Sequence, residues 1–267
     1  MSLITVGPRN ARTDPDTGLR FYTWDGVEYP SVTTVRNLTG MPHKLANWRT
    51  NQVIEKAMTD YGTLGTMLAS GTKPEAVASW LRQAVNYKRD LAANLGTRVH
   101  RAAAEGVTLD KAEPDVAPFL MHYQKFLDHS GIEILLAEQQ VWNLTVGYAG
   151  SFDLIGRFKR TQKTFLIDIK TGGNVYPEHV LQLEAYARGE FVGADNKVDK
   201  KATSILQQVD GRAILHLRPE HWTFSTIRPE TFGSTWEAFV DLLNYAMWAY
   251  STPEVDRLVE KTISSIK

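Results

Sequence analysis

The spacing of hydrophobic positions along this chain switches from alternation to a helical period and back. Between Arg20 and Tyr29, aromatic and β-branched residues flank Asp25-Gly26, a strong two-residue turn signal, and predict a hairpin. The residues before it, 1–20, are rich in Pro, Asp, Gly and Asn and read as an arm or irregular loop. Ser31 either caps a short helix or ends the second strand of the hairpin; periodicity leaves both open. From Pro42 to Arg101 the apolar positions Leu45, Trp48, Val53 and Ala57, then Leu64 and Leu68, then Val77, Leu81, Val85, Leu91 and Leu95 predict three or four helices. Gly71-Thr-Lys-Pro74 breaks this run, with Pro near the first turn of the next helix. Pro114 to His129 reads as another helix.

Alternation returns at Glu133–Trp142 and continues through Tyr148–Phe158 and Thr164–Lys170, a strand meander. Pro177–Arg188 reads as a helix, Gly211–Leu217 and Trp222–Ile227 as a hairpin across Arg218-Pro-Glu-His, and Phe232–Tyr250 as a helix. The aromatics of that last helix, Trp236, Phe239, Tyr245 and Trp248, are expected to pack the core. The polar run Gly193 to Lys201 shows no strand pattern and is expected to be solvated loop. The division expected is an arm and hairpin over 1–41, a helical lobe over 42–130, and a sheet-centred core with C-terminal helices over 131–267.

Charge adds one feature. Acidic and basic residues balance at 30 each over 267 residues, so there is no global field to attract a polyanion. Locally the balance breaks. Residues 42–101 carry nine Lys and Arg against four Asp and Glu, whereas 230–267 carry three against six. The basic stretch is the candidate wall for a phosphate backbone, with ordinary solvated helix faces as the alternative. There are no cysteines, which excludes disulfides, thiolate zinc sites, cysteine-ligated iron–sulfur clusters and cysteine nucleophiles. No apolar run reaches the length of a membrane span and no signal segment opens the chain, so a cytoplasmic protein without membrane contact is expected.

The candidate chemistry lies in the meander. In a strand, positions i and i+2 share a face, so Asp168 and Lys170 point one way while Phe165, Ile167 and Ile169 point into the core. Asp153, near the end of the preceding strand, offers a second carboxylate. Two carboxylates for a hard divalent cation, beside a lysine that meets an anionic substrate, suit phosphodiester hydrolysis. The alternative is a surface ion pair at a strand end. The same Asp-x-Lys spacing recurs at Asp195/Lys197 and Asp199/Lys201, inside the polar run. His100, in Gly96-Thr-Arg-Val-His100, reads by itself as a core or surface histidine.

Taken in order, Gly96-Thr-Arg-Val-His100, Glu138, Gly150-Ser-Phe-Asp153, Asp168-Ile-Lys170 and Gln182-Leu-Glu-Ala-Tyr186 resemble the PD-(D/E)XK nuclease superfamily, in its branch of RecB-like and Cas4-like exonucleases. Tyr29-Pro-Ser-Val-Thr-Thr is similar to the opening motif of phage exonucleases of that branch. The resemblance implies an α/β, restriction-endonuclease-like mixed central sheet flanked by helices, with a helical N-terminal lobe. It implies Mg²⁺ or Mn²⁺ held by His100, Asp153, Asp168 and the backbone carbonyl of Ile169. Asp153, Asp168 and Lys170 would be catalytic, Glu138 supporting, and Gln182 and Tyr186 would position DNA with Thr171. Arg49, Arg82, Lys88, Arg89 and Arg98 are the candidate backbone contacts in the basic stretch. The iron–sulfur cluster of some relatives has no cysteines to hold it here. The helicase phosphate-binding loop, GxxxxGK followed by Ser or Thr, is also missing. The expectation is a DNA exonuclease working on single-stranded or frayed ends in recombination, repair or phage DNA processing, alone or with a separate helicase or recombinase. The alternatives are a non-catalytic DNA-end-binding module and a metal-dependent endonuclease or ribonuclease.

Overall fold

In the computed structural model, residues 11–15, 18–40 and 43–251 are described. Residues 1–10 and 16–17 of the expected arm, residues 41–42, and 252–267 of the C-terminal segment lie outside them. Strands β1 (Ala11–Thr13), β2 (Arg20–Trp24) and β3 (Val27–Pro30) form a small antiparallel sheet. The β2–β3 turn is the expected one: Asp25 and Gly26 both take positive φ, 46° and 79°, as a primed two-residue turn requires. The loop expected over residues 1–20 is corrected at β1, which pairs with Arg20–Tyr22; three residues are too few to show alternation. Ser31 caps rather than extends. Its hydroxyl accepts from Thr34 N and opens α1 (Val32–Arg36), while Thr34 Oγ1 accepts from Arg20 N at 2.8 Å.

Three helices fill the lobe: α2 (His43–Thr59), α3 (Tyr61–Ala69) and α4 (Pro74–Glu105). The break at Gly71–Pro74 falls where expected. Helix α4 runs 32 residues, roughly 48 Å at 1.5 Å per residue. It therefore serves both regions: its N-terminal half packs on α2, its C-terminal half on the core. It ends at Gly106 in the left-handed conformation, φ 65°. Helix α5 (Ala117–Ser130) begins three residues later than expected, because 114–116 close a turn.

The meander then appears as read, in β4 (Ile132–Asn143), β5 (Tyr148–Phe158) and β6 (Thr164–Lys170), followed by α6 (Pro177–Ala187). The polar run is the main correction: residues 195–201 are exposed, as expected, but the run is not loop. It folds as β7 (Phe191–Ala194) and β8 (Lys197–Val198), and Asp199 caps α7 (Lys200–Gln207) by accepting from Ala202 N. Asp195 and Asn196 take positive φ between the two strands, which short polar side chains tolerate. Edge pairing of β7 on β4, and the Trp142 indole donating to Gly193 O at 2.8 Å, supply order that the polar sequence hides.

Strands β9 (Gly211–Leu217) and β10 (Trp222–Thr226) form the expected hairpin, and α8 (Phe232–Ser251) follows. The large sheet has the order β10-β9-β6-β5-β4-β7-β8; β9 runs parallel to β6, and the other neighbours are antiparallel. The fold is thus α/β, a mixed seven-stranded sheet with flanking helices, beside a small N-terminal sheet and a helical segment. Both faces of β6 are buried. Leu166 joins a cluster with Val32, Leu183 and Phe239 on the α6/α8 side, while Ile167 and Ile169 join Val99, Phe119 and Phe126 on the α4/α5 side. The expected core role of the α8 aromatics holds for Phe239 and half-buried Trp236 only. Tyr245 and Trp248 are 54% and 51% exposed, because Phe239, Leu243 and Ala246 form the inward stripe.

Candidate metal centre and cleft

The elements that meet at the site are the C-terminal half of α4, the middle of β4 and β5, and the end of β6. Helix α4 can come close because position 96 is glycine: a Cβ there would lie 3.1 Å from Thr171 Oγ1, just past β6. One turn on, α4 aims His100 at β5. His100, Glu138 and Asp153 bring one ligand atom each within 4.8 Å of one another. His100 Nδ1 lies 3.3 Å from Asp153 Oδ1. The other Asp153 oxygen is fixed, accepting the Ile169 amide at 2.6 Å. Glu138 sits in the interior of β4 with φ 49°. A non-glycine residue in that region costs on the order of 1–3 kcal/mol and persists where surroundings over-determine it, as they do at ligand sites.

Asp168, expected as a ligand, lies just outside this trio. It is 2% exposed, and the Lys170 ammonium sits 2.8 Å from its Oδ1 and 2.7 Å from its Oδ2. The contact to Oδ2 lacks hydrogen-bonding geometry, so that buried oxygen has no hydrogen-bond partner. The Gln182 amide donates to Asp168 Oδ1 and to the Tyr186 hydroxyl, 3.2 Å each, and accepts from Arg36 Nη1 at 2.8 Å. Gln182 and Tyr186 are therefore inward members of a network on Asp168 as well as lining of the cleft.

The electrostatics follow from burial and crowding. Burial pushes the Glu138 carboxyl up to about 7, and the charge of Asp153 adds to the rise. Asp168 is raised by burial against the pull of Lys170. For Asp153 burial alone would raise the pKa, but the His100 imidazole and the Ile169 amide outweigh it and hold the group below the ordinary range. His100 is the mirror case: burial opposes its charge, and Asp153 more than compensates, so it stays raised. A trio that keeps a proton on Glu138 because its negative charge is buried and crowded suits replacement of that proton by a cation. One imidazole and two carboxylates fit a hard-to-borderline divalent ion, and octahedral bonds of about 2.1 Å accept donors at such separations. The residues present therefore fit Mg²⁺ or Mn²⁺.

The trio opens into a cleft of about 790 Å³ that also meets Lys170, Thr171 and Gly172. Sequence reading missed its cationic wall. Arg20 from β2, Arg36 from α1 and Arg101 from α4 all line it, with Ser151. Arg36 Nε and Ser151 Oγ are buried without a hydrogen-bond partner. No motif marks Arg20 and Arg36, which only the packing of the small sheet and α1 onto the core brings in; Arg101 follows His100 on α4, and Ser151 lies in the Gly150–Asp153 motif on β5. The expected lobe cations sort by helical angle, about 100° per residue. Arg82 and Arg89 fall on the α4 stripe that continues through Ala93, Gly96 and His100 into the cleft. Lys88 and Arg98 fall on other sides of the helix and do not line the cleft. Lys88 pairs with Glu55, and Arg98 is gripped by Glu113 and Asp115. Arg49 is exposed on α2 and does not line the cleft.

Among the described residues no helix is long and apolar enough to cross a membrane. No protein-family profile matches the chain, and no curated protein does. Among solved structures, the crystal structure of SSO0001 matches over 55% of this chain and 72% of its own, at 15% identity and a TM-score of 0.26. A likeness at that score carries no argument about function. The chemistry of the cleft has to speak for itself, and what it supports is a His/Glu/Asp site able to hold a divalent metal.

Proposed function

We propose that this chain is a Mg²⁺- or Mn²⁺-dependent deoxyribonuclease that hydrolyses phosphodiester bonds from single-stranded or frayed ends. The observation that carries the reading is the convergence, in one cleft, of the His100/Glu138/Asp153 trio with Lys170 and three arginines. A cluster of anionic ligands facing a cationic wall fits a phosphodiester held across a metal. Arg20, Arg36 and Arg101 bind and orient the phosphate, and the cation-rich wall favours polyanions over neutral substrates. Lys170 contributes positive charge where the non-bridging oxygens of the pentacovalent phosphorus become more negative, with Asp168 and Gln182 setting its position. The bound ion would supply an activated water and charge neutralisation, held by His100, Glu138 and Asp153 with the Ile169 carbonyl and Asp168 beside them.

The test is digestion of end-labelled linear and circular DNA, single- and double-stranded, with Mg²⁺ or Mn²⁺ and with EDTA. Metal-dependent loss of linear single strands, with covalently closed circles spared, is the expected result. Cleavage of circles would mean an endonuclease, cleavage of RNA alone a ribonuclease, and end-binding without cleavage a non-catalytic module.

A further inference from the structure

Among the described residues, every glycine outside a helix has a visible reason to be glycine except Gly172 and Gly173. The others either hold a positive φ or sit where an added Cβ would meet a neighbour at 2.7 Å or less. Gly172 and Gly173 do neither, and nothing lies within 4 Å of a Cβ built on them. The fold does not need glycine there. Gly172 lines the cleft, so the open space beside this pair is space that a ligand would enter.

The same loop is held from behind. Arg218 Nη1, at the end of β9, donates to the carbonyls of Thr171 and Gly172, 3.0 Å each. His216 Nε2 lies 2.6 Å from Gly172 O; a carbonyl only accepts, so the ring nitrogen is the donor. All peptide bonds here are trans, and in a trans unit the C=O and N–H point in opposite directions. Anchoring the Thr171 and Gly172 carbonyls toward β9 therefore turns the Gly172 and Gly173 amides away from it. Neither amide has a backbone partner among the described residues. Successive free amides facing one way make an anion-binding concavity.

We propose that Thr171–Gly173 is a backbone cradle for a phosphate oxygen of the bound strand, kept bare so that the strand can approach, with Arg218 and His216 as positioning residues. The proposal rests on the nuclease reading and adds a substrate contact to it. The experiment is steady-state cleavage of linear single-stranded DNA by Gly172→Ala, Gly173→Ala, Arg218→Met and Arg218→Lys. The alanine variants have ordinary φ and open space, so their melting temperature and Mn²⁺ affinity should match the wild type. Their KM should rise roughly ten-fold, the scale of one hydrogen bond to a charged group, with kcat moving far less. Arg218→Met should follow the same pattern and Arg218→Lys should recover part of it. Wild-type KM in both alanine variants, or a fall in their melting temperature, would overturn the cradle while leaving the nuclease intact. A wild-type protein that neither binds nor cleaves DNA would instead overturn the nuclease reading, and the cradle with it.

Discussion

The sheet-centred core and the helical lobe are built to different standards. Around β5 and β6, side chains such as Ile155, Leu166 and Ile167 are fully enclosed between two helical layers. In the part of the lobe formed by α2, α3 and the N-terminal half of α4, Val77 and Val85 are the buried aliphatics, while Tyr61 and Tyr87 are 75% and 67% exposed and Met58 and Leu68 also face out. The core holds its carboxylates by specific contacts, Asp153 on the Ile169 amide and Asp168 on Lys170; the lobe spreads exposed rings and cations over three helices. A reaction centre needs the first kind of construction, and a surface that a flexible strand slides across tolerates the second.

The sharpest way to break this contrast is at the site. Asp153→Asn and Lys170→Ala should each reduce cleavage by about a hundred-fold or more, with the circular dichroism spectrum unchanged. Lys197→Ala and Lys201→Ala, the same spacing in the β7–β8 hairpin and α7, should leave rates within about two-fold, since single exposed charges far from a site contribute little. An essential Lys197 with a dispensable Lys170 would put the centre at the wrong edge of the sheet.

Stability should divide the two regions next. Ile155→Ala and Phe152→Ala remove enclosed side chains and should cost about 2–5 kcal/mol each by urea unfolding. Leu68→Ala and Tyr61→Ala should stay within about 0.5 kcal/mol, as for other exposed positions. If the lobe variants were the costly ones, the lobe would be packed against something in solution.

The same division explains what was legible in the sequence. The meander, the Asp25-Gly26 turn, α6 and the β9–β10 hairpin were readable because long runs of period and strong turn residues are local signals. His100, Asp153 and Lys170 were readable because an ordered motif marks them. Glu138 was readable as a position but not as a member of the trio, which depends on a backbone at φ 49° inside a strand. Arg20 and Arg36 carried no signal, since only docking of α1 and the small sheet on the core aims them inward. The β7–β8 hairpin was hidden because strands of four and two residues are ordered by pairing on β4 and by turn residues, not by hydrophobicity. Tyr245 and Trp248 show the opposite failure, where hydrophobic character does not imply burial.

A pH experiment sharpens the account of the trio. Glu138 is pushed up to about 7, by burial first and by Asp153 second. Its folded pKa lies above its unfolded value, so the metal-free folded state keeps a proton that the unfolded chain releases. Stability of the metal-free protein should therefore fall as pH rises from the ordinary glutamate range to about 7, and level off above it. Mn²⁺ must displace that proton, so its affinity should climb through the same window, by up to about ten-fold per pH unit. In Glu138→Gln both titrations should lose the part that Glu138 supplies and keep the weaker dependence imposed by His100 and Asp168, which are also raised. A pH-independent wild-type affinity by calorimetry would show that Glu138 is not a ligand.

The smallest effect tests the lobe itself. On α4, Arg82 and Arg89 lie on the stripe that leads to His100, eighteen and eleven residues away, roughly 27 and 17 Å along the axis. Lys88 and Arg98 lie on the other side, and both are already matched by carboxylates. If the strand runs from the cleft along α4, only the first pair meets its phosphates. Removing one phosphate-binding cation should flatten the dependence of log affinity on log salt by about 0.7 for single-stranded DNA. Arg82→Ala with Arg89→Ala should thus flatten the slope by roughly 1.4, while Lys88→Ala with Arg98→Ala should leave it unchanged. Arg89 is the weaker of the two cations, because Asp90 Oδ1 lies 2.8 Å from its guanidinium and must be outcompeted. Asp90→Asn should accordingly steepen the slope slightly. Equal slopes in the two double variants would mean that the strand crosses the lobe without following this stripe, and the exposed rings of Tyr61 and Tyr87 would become the next surface to mutate.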